Sequence, residues 1–144
     1  MRIAVVSDTH VPDRVVELHP ALIGLLKALD VNLILHAGDI STPKVLAEFE
    51  AIAPVKPVRG NRDLLFPEGL PTVLELNLNG VSVVLTHGHL NFLTYAADKI
   101  LWVLHGYDAN RMIKRLGEAF PKAKVIIYGH THRAENQWLG DRLF

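Results

Sequence analysis

The sequence contains no cysteine among its 144 residues, so disulfides and thiolate ligands play no part in its chemistry. This absence is compatible with a reducing cytoplasm, and equally with any protein that performs no redox chemistry. Because no disulfide framework is available, a hydrophobic core must hold the fold, and one domain spanning residues 1–144 is long enough to form one. Any metal site must therefore use oxygen and nitrogen ligands.

A net charge and a long apolar run are also missing. Lys+Arg and Asp+Glu number 15 each, so no global field favours nucleic acid, and we do not expect nucleic acid as a partner. The most apolar stretches, 15–29 and 92–104, contain charged residues and are unlike the roughly 20 uninterrupted apolar residues of a membrane span. No signal peptide is evident before the first apolar run. We therefore expect a cytoplasmic protein without a membrane partner.

Short β-branched runs recur along the chain and predict buried strands. Helical spacing of apolar residues over 15–29 predicts a core-facing helix between the first two runs. A second helix is predicted to start at Ser41-Thr42-Pro43, because Thr42 can cap it and Pro43 suits its first turn. The five runs that we expect to be followed by functional motifs are 3–6, 33–35, 55–58, 81–85 and 125–128.

The second half of the chain has a different rhythm. Asn79-Gly80 between two extended runs is the strongest short hairpin signal. A mostly helical segment is expected over 91–122, with a break at Gly106, and a second hairpin or strand around Gly140-Asp141. The chain thus combines βαβ crossovers with antiparallel hairpins, which indicates an α/β fold.

Each of the five runs is followed by residues that can bind metal. Ligands at the carboxyl ends of several strands are what a metal site in an α/β sheet requires. Asp8 and His10 lie two apart in what we take to be an extended strand end, and His130 and His132 share that spacing, so each pair can project into one site. Glycines beside the ligands would let the backbone turn sharply. The motifs are Ser7-Asp8-Thr9-His10, Gly38-Asp39, Gly60-Asn61-Arg62-Asp63, His87-Gly88-His89 and Gly129-His130-Thr131-His132.

These motifs, in this order, resemble the calcineurin-like metallophosphoesterase superfamily, and in particular its small YfcE-type phosphodiesterases. One motif alone would be a weak signal, but five in order over residues 8–132 are highly specific. The resemblance implies layered β-sheets in a sandwich flanked by helices. It also implies a hydrolase that acts on phosphoric ester bonds of a small substrate, with phosphodiesters favoured.

The resemblance further implies two divalent metal ions that share Asp39. Two cations about 3.5–4 Å apart can hold a hydroxide between them and neutralise a phosphoryl group, and that hydroxide would attack phosphorus in line with the leaving oxygen. Mn²⁺ is favoured, while Ni²⁺, Zn²⁺, Fe²⁺, Co²⁺ and Mg²⁺ stay open. The implied ligands are Asp8, His10, Asp39 and His132 for one ion, and Asp39, Asn61, His87 and His130 for the other.

The sequence departs from the family at Arg62. Many members place a histidine after Asn61 that protonates the leaving group and is held by the following acid, here Asp63. An arginine stays protonated and cannot donate that proton, although it can clamp a phosphate oxygen. We therefore expect a preference for good leaving groups, or another acid such as His89 or a metal-bound water. The candidate catalytic residues are Asn61, Arg62, Asp63 and His89.

Several alternatives stay open. The same fold could act as a catalytically weak scaffold for other proteins, as the retromer subunit does, but here every ligand position is filled. The stretch 92–104 is interpreted as core packing, with a cap over the site or a contact in a homo-oligomer as alternatives. His36 is expected to be packed rather than a ligand, and Arg59 to be solvated or to bind phosphate.

The carboxyl end is expected to be truncated. The family continues with further sheet strands, whereas this chain stops at Leu143-Phe144 in a strand-like context. Either the chain is a fragment, or its second sheet is closed differently, by a neighbour for instance. An exposed strand edge would favour association.

Overall fold

In the computed structural model, which describes residues 1–63, 66 and 69–144, the chain forms two β-sheets with helices packed around them. The first sheet is parallel with strand order β1-β2-β3, because a helix carries the chain back between successive strands. Its elements are β1 (Ile3–Val6), α1 (Pro20–Ala28), β2 (Leu33–His36), α2 (Pro43–Glu50) and β3 (Val55–Pro57).

The second sheet is mixed, with strand order β4-β5-β6-β8-β7. Two antiparallel hairpins form its ends, and two helices connect β5 to the parallel strand β6. Its elements are β4 (Val73–Leu78), β5 (Val81–Thr86), α3 (Phe92–His105), α4 (Ala109–Ala119), β6 (Val125–Tyr128), β7 (Trp138–Leu139) and β8 (Arg142–Leu143).

The predicted strands and turns are confirmed. All five apolar runs form strands, and Asn79 (φ 53°) and Gly80 (φ 87°) both have the positive φ that a tight two-residue hairpin needs. The helical segment breaks at Gly106, whose φ is 76°. The short β7–β8 hairpin turns at Gly140-Asp141.

The predicted helix over 15–29 is wrong in its first part. The helix begins only at Pro20, because proline lacks the N–H of a helix interior and fits the first turn. His19 is the N-cap, and its Nδ1 accepts a hydrogen bond from the backbone N–H of Ala21 at 3.2 Å. Val16 is 88% exposed as a result. Thr42 does occupy the N-cap position of α2, but its side chain makes no capping hydrogen bond.

Three apolar clusters form the core, and one of them joins the two sheets. Leu35 of β2 and Leu85 of β5 are fully buried in the same cluster, so the sheets lie face to face. The helices α1 and α2 cover the other face of the first sheet through residues such as Phe49, and α4 covers the second sheet through Leu116. The expected α/β sandwich flanked by helices is confirmed. Among the described residues, no helix has the length and apolar content that a membrane crossing would require.

The core-packing interpretation of 92–104 is wrong. None of the described side chains of α3 is buried, and Leu93 and Val103 are 78% and 86% exposed. The physical reason is that α4 already fills the space beside β5 and β6 with a strongly one-sided apolar face. Instead, α3 is fixed to α4 by an ion pair in which Arg115 donates to both Asp98 oxygens at 2.6 and 2.7 Å.

Strand edges are exposed in both sheets. The edge strand β1 presents Ile3 (36% exposed) and Val5 (52% exposed) to an apolar groove of about 590 Å³. The opposite wall of this groove includes Val83 and Ile127 of the second sheet. At the far edge, β7 exposes Trp138. Exposed strand edges of this kind are compatible with association of the chain with a neighbour, which stays a prediction.

The last residue of β2, His36, is fully buried, which confirms that it is packed. Its Nδ1 accepts from the backbone N–H of Gly38 at 3.3 Å, so its Nε2–H is free to donate to Thr9 Oγ1 at 3.1 Å. Burial lowers the pKa of His36 to about 4. A histidine in the unfolded chain has a pKa near 6.5, so below that pH it binds a proton, whereas His36 in the native protein stays unprotonated. The free energy of unfolding therefore falls as the pH falls.

We therefore expect His36→Gln, which keeps a donor toward Thr9, to flatten the acid dependence of stability. In the wild type, the lowered pKa of His36 should reduce the free energy of unfolding by about 3 kcal/mol as the pH falls from 6.5 to 4. Urea unfolding of the metal-free protein across this range would measure the slope. The exposed His105→Gln is the control. Identical slopes for wild type and His36→Gln would contradict the prediction.

Candidate metal centre

The five motifs meet because the loops at the carboxyl ends of the strands are hydrogen-bonded to one another. The loop after β1 pairs with the loop after β2, since the N–H of Asp8 donates to Gly38 O at 2.9 Å and the N–H of His10 donates to Asp39 O at 3.1 Å. The N–H of His130, after β6, donates to Asp8 Oδ2 at 3.0 Å. The two sheets therefore contribute to one site.

Asp8, His10 and His132 form the first group of ligand atoms. His132 Nε2 lies 3.4 Å and His10 Nε2 lies 3.7 Å from Asp8 Oδ1. The two imidazoles stack with their Nε2 atoms 3.3 Å apart. Asp8 Oδ1 is buried and has no hydrogen-bond partner among the described residues. A buried carboxylate oxygen without a donor is costly, and a cation would compensate it.

Asn61, His87 and His130 form the second group. Asn61 Oδ1 lies 3.2 Å from His87 Nε2 and 3.1 Å from His130 Nδ1, and these two nitrogens are 3.3 Å apart. His87 Nδ1 lies 2.7 Å from the carbonyl oxygen of Ala37, to which it can only donate. The lone pair of His87 Nε2 therefore points into the site, which is the tautomer that binds a metal.

Asp39 lies between the two groups. It is 2% exposed, with Oδ2 at 3.7 Å from His10 Nε2 and Oδ1 at 3.6 Å from His87 Nε2. Its Oδ1 also accepts the backbone N–H of Arg62 at 2.8 Å, which fixes the carboxylate. One oxygen thus faces each group, and the structure brings all seven predicted ligands together.

The donor set fits divalent cations. The side chains provide carboxylate oxygens, one amide oxygen and imidazole nitrogens, and the buried Asp8 Oδ1 lacks any other compensation in the described structure. Burial lowers the pKa of His10, and burial together with the neighbouring His87 lowers the pKa of His130 to about 4. These shifts favour the neutral form of His10 and His130, which is the form that ligates a metal.

The expected extended geometry of the ligand pairs is wrong. Asp8 (φ 54°) and His10 (φ 50°) lie beyond the end of β1 in the left-handed region, as do His130 (φ 72°) and His132 (φ 54°) after β6. Aspartate and histidine are among the residues that adopt this region more readily, at a cost of about 1–2 kcal/mol each. The backbone curls so that both side chains of a pair point inward. This strain is concentrated at the site, as is usual for functional loops.

Asp63 lies beneath the site and acts on the loops. Its two oxygens accept four backbone N–H groups at 2.8–2.9 Å, from Asp39, Ile40, Ser41 and Gly60. These bonds tie the loop after β3 to the loop that carries Asp39. Its oxygens are therefore engaged with the backbone and do not hold the side chain of Arg62.

Arg62 points away from the ligands. Its side chain is 44% exposed, and its guanidinium lies 3.5 Å from Asp13, while only its backbone N–H reaches Asp39. The clamp of Arg62 on a phosphate oxygen stays a prediction, and it would require the guanidinium to leave Asp13. What Arg62 contributes directly is the backbone donor that orients the shared carboxylate.

His89 lies closer to the ligands than its sequence position indicated. Its ring centroid is 5.3 Å from that of His87 and 5.7 Å from that of His130, and its nitrogens are close enough to theirs to share a metal. Burial and the neighbouring His87 lower the pKa of His89 to about 4. It is therefore uncharged at neutral pH and is a poor proton donor.

Sequence reasoning missed Tyr95 and Glu135. Tyr95 stands 5.6 Å, between ring centroids, from both His89 and His130. The capping box of Asn91 and Thr94, which starts α3 directly after the histidine motif, was a readable signal for this placement. Glu135 accepts hydrogen bonds from the Tyr107 and Tyr128 hydroxyls and thereby holds the loop that follows His132. Burial and this carboxylate raise the pKa of both tyrosines.

Two glycines are required by close approach rather than by a turn. A Cβ on Gly60 would lie 2.1 Å from Asp39 Oδ1, and a Cβ on Gly129 would lie 2.0 Å from Ser7 Oγ. The predicted sharp turn applies instead to Gly38 (φ 90°) and Gly88 (φ 108°). Ser7 Oγ donates to Asp8 Oδ2, so Ser7 supports a ligand side chain.

The calcineurin-like phosphoesterase superfamily domain matches residues 1–144. This chain belongs to that family. It is 35% identical over 133 residues to a probable metallophosphoesterase of Methanothermobacter thermautotrophicus and 33% identical over 132 residues to one of Methanocaldococcus jannaschii. Each match covers 92% of this chain, which spans 67% and 59% of the lengths of the two relatives. The resemblance drawn from the motifs is confirmed.

Solved structures share the fold at lower identity. Vps29 from Entamoeba histolytica superposes with a TM-score of 0.77 at 20% identity, covering 100% of this chain and 72% of that one. An archaeal phosphodiesterase superposes with a TM-score of 0.61 at 23% identity, covering 99% and 81%. At these identities the similarity establishes the architecture, and function must be argued from the site.

We expect Gly60→Ala to damage the centre, because the added methyl group would overlap the Asp39 carboxylate. The free energy of unfolding should fall by about 1–3 kcal/mol, and Mn²⁺ affinity by about 10–100-fold. The control, Gly24→Ala in α1, meets nothing within 4 Å and should raise stability by about 0.5–1 kcal/mol without affecting metal binding. Urea unfolding and titration calorimetry would measure both. Unchanged Mn²⁺ binding in Gly60→Ala would contradict the geometry.

Proposed function

We propose that this chain is a metal-dependent phosphodiesterase with a dinuclear centre. The observation that carries the proposal is the buried Asp39 carboxylate, with one oxygen toward each group of ligand atoms. Membership in the phosphoesterase superfamily supports hydrolysis of a phosphoric ester. A structure with the same fold is an archaeal phosphodiesterase, and we therefore choose a diester as the substrate class to test first.

Seven side chains would hold the cations, and each has a defined task in the proposal. Asp8, His10 and His132 would bind the first, Asn61, His87 and His130 the second, and Asp39 both. When bound, two cations supply a nucleophilic hydroxide and neutralise phosphoryl charge. Mn²⁺ suits this oxygen and nitrogen donor set, as do several other first-row ions. Because Asn61 is neutral, the site keeps less negative charge and attracts a phosphate anion more strongly.

The candidate acids do not supply a proton to the leaving group in this proposal. The guanidinium of Arg62 faces Asp13, and His89 is neutral at physiological pH. Asp63 is engaged with four backbone N–H groups and serves to position Asp39. The leaving oxygen therefore departs without a protonated side chain from these residues, which favours esters whose leaving oxygen is weakly basic.

Asp39→Asn should abolish the shared ligand while keeping the volume of the side chain. We expect bound Mn²⁺ to fall below two ions per chain and kcat for an aryl phosphodiester to drop by at least about 10²-fold, because preorganised charge stabilisation is lost. Elemental analysis and steady-state kinetics would measure this, with the surface variant Asp141→Asn as the control. Near-normal turnover of Asp39→Asn at saturating Mn²⁺ would refute the dinuclear proposal.

A series of diesters with leaving groups of increasing pKa tests the missing acid. We expect the wild-type rate to fall steeply along the series. Arg62→His, which restores the histidine found in many family members, should raise the rates of the poorest leaving groups by up to about 10²-fold. Arg62→Ala separates this gain from simple loss of the guanidinium. A flat series in the wild type would mean that a competent acid exists.

A protein-interaction scaffold is the alternative. Its support is the fold shared with Vps29 and the exposed apolar side chains of α3, among them Leu93, Ile100 and Val103, which would also serve a homo-oligomer. A scaffold does not need ligand-type side chains at all seven positions, which this chain has, with His10, Asp39, His87 and His130 buried. Metal content and turnover of bis(4-nitrophenyl) phosphate by the Mn²⁺-loaded protein distinguish the two. Metal binding without turnover would favour the scaffold.

A further inference from the structure

A cavity of about 230 Å³ opens beside the second group of ligand atoms. It includes Asn61, so a molecule bound at the candidate metal centre would have direct access to it. Six other side chains that line it come from three segments of the chain and were not assigned together by the motifs: Arg59, Thr72, His89, Leu90, Asn91 and Tyr95.

The walls of the cavity are fixed by hydrogen bonds and an ion pair. The backbone N–H of Arg59 donates to Pro71 O at 2.7 Å, which joins the two loops on one side. On the other side, Asn91 Oδ1 accepts the N–H of Thr94 at 2.9 Å and so fixes the first turn of α3, where Tyr95 lies. The Asp98–Arg115 ion pair then anchors α3, and Arg115 also donates to Gly88 O at 3.4 Å. The cavity is thus preformed.

The cavity has a positive rim. Among the described residues, no carboxylate lies within ion-pair distance of the Arg59 guanidinium. The ammonium group of Lys99 lies 5.6 Å from the ring centroid of Tyr95, on the same helix. Asp98, the acidic neighbour of Lys99, is already paired with Arg115. An anionic group that entered here would meet the Arg59 guanidinium and the Tyr95 ring, both of which line the cavity.

From this geometry we propose that the cavity binds one of the two ester groups of a phosphodiester, namely the one that stays bonded to phosphorus when the other leaves. We further propose that the cavity selects a ring-sized group with a negative charge at this position. This inference rests on the proposed function, because it assigns a place to the second arm of the diester. Its volume of about 230 Å³ is below the roughly 300–1,000 Å³ of sites for drug-sized molecules and suits a group of the size of one ring. The helix α3, which contributes little to the core, thereby has a role as a wall of the substrate site.

Three substrates with the same 4-nitrophenyl leaving group test the proposal directly. Their second ester group is methyl, phenyl or 3-carboxyphenyl. With the Mn²⁺-loaded protein we expect kcat/KM to rise at least about tenfold from methyl to phenyl, because the ring fills the cavity. A further rise of about three- to tenfold is expected from phenyl to 3-carboxyphenyl, because the carboxylate meets Arg59. Equal values for the three substrates would overturn the proposal.

Two variants separate the contributions of Arg59 and Tyr95 to substrate preference. Arg59→Gln should remove the preference for 3-carboxyphenyl over phenyl and leave the preference for phenyl over methyl. Tyr95→Leu should reduce the preference for phenyl. The control is Lys56→Gln, an exposed basic residue of β3 outside the cavity, which should behave as the wild type. If Arg59→Gln keeps the full carboxylate preference, the assignment of Arg59 is wrong.

A binding measurement makes the proposal testable without turnover. Calorimetry of the Mn²⁺-loaded protein should give a Kd for 3-carboxyphenyl phosphate at least tenfold lower than that for methyl phosphate, and Arg59→Gln should narrow this difference. Turnover of all three diesters with no discrimination would leave the phosphodiesterase intact and refute the cavity. Absence of turnover together with selective binding would refute the phosphodiesterase and retain the cavity. Absence of selective binding would refute the cavity.

Discussion

Compensation of buried carboxylates is the constraint on which the structure depends. Asp63 and Asp39 are each 2% exposed, and burying such charges is costly unless each oxygen finds a partner. Asp63 is compensated internally by four backbone N–H groups, and in return it fixes the loops around it. Asp39 and Asp8 are compensated only in part, and their remaining oxygen positions face imidazole nitrogens. This difference divides the acidic residues into those that build the site and those left available to cations.

The site is costly for the fold. Ligands in left-handed conformations and glycines without room for a methyl group are arrangements that a purely stable protein would avoid. They persist because the strands behind them are well packed, with Leu35, Val58 and Leu85 fully buried between the sheets. The packing of the sandwich offsets the backbone strain of the loops, and these loops hold the candidate functional residues. Similar cores can therefore support proteins with different surfaces. The structures that share this fold agree with this, since they include both Vps29 and an archaeal phosphodiesterase.

The two helices next to the second sheet, α3 and α4, differ in how much they contribute to the core. The one-sided apolar face of α4 fills the core, with Met112, Ile113 and Leu116 buried. Consequently α3 is left at the surface, anchored through Asp98 and Arg115, with Tyr95 turned toward His89 and His130. A helix that contributes little to the core can change in sequence without loss of the fold, which suits a segment that determines substrate preference.

The sequence alone determined the strands, the hairpin at Asn79-Gly80 and the seven ligand candidates, because apolar periodicity and short motifs are local signals. Local signals also account for the errors. Apolar content alone could not show that α4 would occupy the space expected for α3, nor that Pro20 would delay the first helix. Only the tertiary structure decided that Arg62 turns to Asp13, that Asp63 serves the backbone, and that Arg59 and Tyr95 share a cavity. These outcomes depend on which side chains meet across separate loops, and that information lies in packing between distant segments rather than in any one stretch of the chain.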